Sequence, residues 1–137
     1  EKIIVVAGDE LAYLIDEEGS DTVRNILLDV QKGRGQAFLS FATLTELYYV
    51  ALQRQTAAAA RELIVHIKSL PIQIVHSSER LALSAGRLKA SYPLSLADAF
   101  IAATAIDCKA SLVHKDPEFE SIAEFVSLLQ LPYKQAR

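Results

Sequence analysis

Short apolar runs alternate with amphipathic segments along this chain, almost to its end. Residues 2–7, KIIVVA, form a continuous run rich in β-branched side chains, which predicts a strand buried on both faces of a parallel sheet. DELAYLID follows as a short helix, closed by the EEGS turn. Ser20 and Asp21 can cap a helix running to about Gln31, with Val23, Ile26, Leu27 and Val30 on one face. KGRG breaks the chain, and QAFLS at 36–40 predicts the next strand. Helices are expected over 43–54 and 56–70, the second begun by Thr56 and stopped before Pro71. IQIVHS at 72–77 alternates as a strand does. Residues 78–92 set Leu81, Ala85 and Leu88 at helical spacing behind Ser78, and another helix runs from Ser95 to about Cys108. ASLVHKD at 110–116 and EFVSLL at 124–129 read as the last strands. Strands alternating with helices predict an α/β domain with a mostly parallel sheet.

The 137 residues suit one domain with a sizeable core, with no repeat or linker to divide them. A net charge of −3 removes any global basic footprint, so nucleic-acid binding has to come from a local patch or from bound cations. The single cysteine, Cys108, rules out an internal disulfide and a cysteine-based metal knuckle, and it suits a reducing cytoplasm. No apolar run approaches the ~18 residues of a membrane span, and the chain opens on a strand-like segment and not on a signal peptide.

Acidic residues recur at the ends of the expected elements. Asp98 sits at the start of the apolar run SLADAFIAATA, where an unpaired charge is expensive. Glu46 opens the helix after QAFLS, Asp116 leaves the strand SLVHK, and Asp9 follows the first strand. In parallel sheets ligands gather beyond the carboxyl ends of strands, and the βα order can bring all four acids to that edge. Each also has a local explanation. Ser95 with Asp98, and Thr43 with Glu46, have the spacing of a capping box. Asp116 before Pro117 can start a turn, and Asp9 can cap a helix. Carboxylates gathered together repel unless a cation neutralises them, and Mg²⁺ or Mn²⁺ is the natural occupant of such a set. An acid at a helix start can both cap and coordinate. His66, His76 and His114 have no mutual metal-ligand spacing, and no glycine-rich phosphate loop appears. Arg87 and Lys89, ahead of the Asp98 segment, are solvated helix charges by default and candidate phosphate contacts.

The blocks LAYLIDEEGS, SFATLTELYYVALQR with Glu46, YPLSLADAFIAATAI with Asp98, and ASLVHKDPEFE with Asp116 resemble those of PIN domains, within them the VapC-type toxin ribonucleases. The resemblance covers almost the whole chain, residues 1–137 as one PIN-like domain. It implies a Rossmann-like, three-layer α/β/α sandwich and a Mg²⁺- or Mn²⁺-dependent endoribonuclease. It also implies a homodimer and a cognate VapB-type antitoxin that occludes the site. Glu46, Asp98 and Asp116 would carry catalysis and, with Asp9, hold the metal, while Arg87, Lys89 and His114 would face the RNA. One departure stands out: registering LAYL against the family pattern puts Val6 where the first metal-binding Asp belongs. Either Asp9 substitutes from about one helical turn downstream, or the site lacks one carboxylate. The second case leads to an alternative function, an impaired PIN domain kept for binding its antitoxin. A phosphoacceptor signalling domain also places acids on a doubly wound sheet, but QAFLS ends without the acceptor Asp such a domain needs.

Overall fold

The β-branched run at the start of the chain becomes the middle strand of the sheet, and its alternation defines the two faces of the fold. The computed structural model describes residues 2–6, 20–114 and 116–130. Strand β1 (Lys2–Val6) pairs in parallel with β2 (Gly35–Ser40) on one side and β4 (Ser111–His114) on the other. β3 (Gln73–Val75) and β5 (Leu128–Gln130) complete the sheet in the order β3-β2-β1-β4-β5, every pairing parallel.

Successive side chains of β1 enter opposite cores. Ile4 and Val6 join Val23, Ile26 and Leu27 of α1 (Ser20–Gln31) and Ile67 of α3 (Ala57–Ser69) in one apolar cluster. Val5 joins the other, with Leu81 and Ala85 of α4 (Glu79–Ser91) and the alanine-rich α5 (Leu96–Cys108). Helix α2 (Phe41–Arg54) reaches both: Leu47 belongs to the first cluster and Ala42 to the second, and the Phe41 and Phe100 rings meet edge-on at 5.0 Å. The result is the three-layer α/β/α arrangement. Helix α5 is apolar through its middle, and Ala99 and the whole run from Ile101 to Ala105 are buried, as expected of a helix sandwiched between a sheet and neighbouring helices.

Among the element boundaries that differ from those expected, two bear on the site. Helix α2 starts two residues earlier than expected, because the buried Ser40 side chain accepts the Ala42 N–H at 3.1 Å and so supplies the N-cap. Thr43 is therefore an interior helix residue, fully buried, and no capping box joins it to Glu46. The last strand begins at Leu128 and not at 124, since Pro117–Ile122 winds as a 3₁₀ helix that sends Phe119 and Ile122 into the core. Residues i and i+3 eclipse in a 3₁₀ turn, which puts both rows of apolar atoms on one side. The short helix read from DELAYLID lies outside the described residues.

Candidate metal centre

Because all the strands run the same way, the ends of β2, β1 and β4 form one edge. The order of the sheet reverses between β1 and β4, which is where such folds leave a crevice. Asp116 lies just past β4 at this edge. Its Oδ1 accepts the Glu118 N–H at 2.9 Å, capping the 3₁₀ helix and turning the chain so that Glu118 follows on the same side. Asp98 comes to the same place from the first turn of α5. One oxygen each from Asp98, Asp116 and Glu118 lie within 4.8 Å of one another.

The capping of α5 explains why Asp98 is free to join them. Ser95 Oγ accepts the Asp98 N–H at 3.1 Å, one half of a capping box. In a complete box the acid three residues on would reach back to the Ser95 N–H. Here that N–H donates instead to Glu118 Oε2 at 3.4 Å, from 23 residues further along the chain. The local explanation of Asp98 is thus half fulfilled: its backbone is capped, and its carboxyl group turns to Asp116 and Glu118.

The electrostatic consequence is large. Burial, hydrogen bonds with Asp116 and Glu118, and their negative charge push the Asp98 carboxyl from 3.8 up to about 8. Without a cation Asp98 therefore holds a proton at neutral pH. A hard divalent cation relieves the same repulsion, and the donor set, all carboxylate oxygen, is the kind Mg²⁺ or Mn²⁺ prefers.

The remaining candidates are placed as follows. Glu46 is half-buried in the second turn of α2, outside the group of three. His114 ends β4 fully buried and edge-on to Phe119 at 5.4 Å; burial lowers its basicity, and the charges of Asp116 and Glu120 pull the other way. Lys89, in the last turn of α4, donates to the Leu94 carbonyl at 3.1 Å. Arg87 is exposed two residues earlier, about 200° around the helix from Lys89. Asp9 lies outside the described residues. Val6 is fully buried, in the cluster it shares with Val23 and Ile67, on the face of the sheet opposite α5. Sequence reasoning passed over Glu118. Its signal was present in DPE, an acid two residues after Asp116 in a segment that Pro117 forces to turn.

Comparison with known proteins identifies the family and the fold. The PIN domain family model matches residues 11–125, and the chain belongs to that family. The match begins beyond Val6. A comparison of the sequence with curated proteins finds no match. Among solved structures, the chain is similar to VapBC2 from Rickettsia felis bound to a promoter DNA fragment, with 19% identity and a TM-score of 0.76 over 94% of this chain and 98% of that one. DNA-bound VapBC from Salmonella typhimurium gives 17% identity and a TM-score of 0.76, over 95% and 98% of the two chains. VapC20 from Mycobacterium tuberculosis, a toxin that cleaves the sarcin-ricin loop, gives 19% and 0.69 over 94% and 99%. The fold is that of the PIN domains of VapC toxins.

Proposed function

We propose that this protein is a divalent-metal-dependent endoribonuclease of the VapC toxin type, hydrolysing RNA phosphodiesters at the Asp98–Asp116–Glu118 group. The observation that carries the reading is the convergence of one oxygen from each of three carboxyl groups within 4.8 Å, where burial and the two neighbouring acids raise the Asp98 carboxyl to about 8. A local cap has no use for that arrangement, whereas a cation does. When bound, Mg²⁺ or Mn²⁺ supplies the Lewis acidity that phosphodiester hydrolysis needs, acidifying water and neutralising charge that develops on the phosphate.

The chain's own residues have distinct parts in this reading. Asp98, from the first turn of α5, and Asp116, just past β4, would hold the ion, and the exposed Glu118 would join them. Glu46 of α2 would be a further acid in this reading, and the metal role expected of Asp9 falls outside the described residues. Buried His114 supports the turn that carries Asp116. In a protein of net charge −3 a bound ion would supply the local positive charge for RNA, and the exposed Arg87 would be an outlying phosphate contact. Two apolar features favour protein partners. Leu44, Tyr48, Ile64 and Val65 line an open groove of about 550 Å³ beside α2 and α3. Tyr49 and Leu52 are also exposed on α2. A helix of a VapB-type antitoxin fits such a groove, and a second copy of the chain is the other expected partner. No described helix is long and apolar enough to cross a membrane.

The test is cleavage of single-stranded RNA by purified protein with Mn²⁺, with Mg²⁺ and with neither. The wild type should cut only with metal, and Asp98→Asn and Asp116→Asn should each lose on the order of 100-fold or more. Equal cutting by wild type and both variants would sink the proposal.

A further inference from the structure

Lys89 and Glu118 take hold of the two polar ends of a single peptide group. Lys89 Nζ donates to the Leu94 carbonyl at 3.1 Å, and the N–H across the same peptide bond, that of Ser95, donates to Glu118 Oε2 at 3.4 Å. Ser95 in turn starts α5: its Oγ accepts the Asp98 N–H, and its carbonyl accepts the Ala99 N–H at 2.9 Å. A peptide group is a rigid plane, so fixing its oxygen and its hydrogen fixes its orientation and the direction in which the following turn leaves. The turn that leaves here carries Asp98.

A simpler role for Lys89 would be a cation at the carboxyl end of α4, where the helix dipole favours one. Its bond goes past that end, however. Helix α4 is capped by the Tyr92 N–H to the Leu88 carbonyl, and Lys89 reaches the loop beyond, at buried Leu94. Its ammonium is thus committed to the backbone that presents the site.

We infer that Lys89 is a positioning residue of the carboxylate centre: with Glu118 it clamps the Leu94–Ser95 peptide and thereby sets the Asp98 carboxyl group against Asp116. The inference rests on the metal-nuclease reading and assigns Lys89 a task other than contact with RNA phosphate. Carboxylates must be held within about 0.5 Å of a productive arrangement, so loosening one peptide at the root of Asp98 weakens the ion's site without removing a ligand.

Wild type, Lys89→Met and Lys89→Arg separate the possibilities, with three readouts. Lys89 is exposed, so Lys89→Met should fold, with an unchanged circular dichroism spectrum. In metal-free protein, Lys89→Met should speed hydrogen exchange at the Ser95 and Asp98 amides about 10-fold. It should weaken Mn²⁺ binding, measured by calorimetry, about 5- to 10-fold. Without divalent ions, its affinity for single-stranded RNA should keep the wild-type salt dependence. Lys89→Arg, which can reach the same carbonyl, should recover most of both losses. Unchanged exchange and Mn²⁺ binding, with RNA affinity reduced and the salt slope lowered by about one, would make Lys89 a phosphate contact and overturn the inference alone. A wild-type protein that takes up no Mn²⁺ would overturn the nuclease reading and the positioning role together.

Discussion

Glu118 Oε2 occupies the Ser95 amide, the place a capping box reserves for Asp98. This exchange between two acids 20 positions apart turns a helix-start device into a carboxylate centre. Asp98 keeps the backbone geometry of an N3 residue and gives its side chain to the cluster.

The first consequence is a pH dependence of stability. Asp98 titrates near 3.8 in the unfolded chain and near 8 in the folded one. Below about pH 4 both states are protonated and there is no penalty. Between pH 4 and 8 the folded state binds more protons than the unfolded state, so stability falls as pH rises, and it levels off above 8. In metal-free protein the contribution of this group should decline over that window. In Asp98→Asn it should be absent, as read from urea midpoints measured at each pH.

Cation uptake should displace the same proton. At pH 6 nearly every Asp98 is protonated, and Mn²⁺ binding should release close to one proton per ion taken up by the cluster; at pH 9 it should release almost none. Calorimetry in buffers of different ionisation enthalpy counts these protons. Saturating Mn²⁺ should also raise the melting temperature, with ~2.7 kcal/mol of added stability at 100 times the dissociation constant.

Supplying an acid at position 6 should fail to complete the centre. Val6 is fully buried in an apolar cluster and lies between Leu39 and Val113 in the sheet. Val6→Asp therefore buries a carboxyl among hydrocarbon side chains, with a cost of roughly 3 kcal/mol or more. The expected outcome is a large fall in the urea midpoint with no gain in cleavage. A stable, more active variant would show that position 6 reaches the metal.

Helix α5 ends on a residue that does not suit its conformation. Lys109 has φ 53°, in the left-handed region, with its N–H returned to the Ala105 and Ile106 carbonyls. A side chain pays roughly 1 kcal/mol there relative to glycine. Lys109→Gly should raise stability by about that amount and leave Mn²⁺ affinity unchanged, since the substitution lies at the far end of α5 from Asp98.

Periodicity along the chain was enough to read the alternating α/β order, the parallel sheet and all five described α-helices, because burial on one or two faces imposes a repeat that neighbouring residues share. It was enough, too, to single out Asp98 and Asp116, since an acid beside an apolar helix or at a strand end is conspicuous locally. Ser40 as the cap of α2 was less legible, for Thr43 has an equally good pattern and only burial chose between them. The 3₁₀ turn after Asp116 was hidden for a similar reason, being too short to show a period. The partner of the Ser95 amide depended on contact across 23 residues, and no local pattern encodes a distance of that kind. Which acids meet, where Val6 faces and what Lys89 holds follow from how the strands stack, because side chains remote in sequence become neighbours only when the sheet is assembled and its two faces are covered.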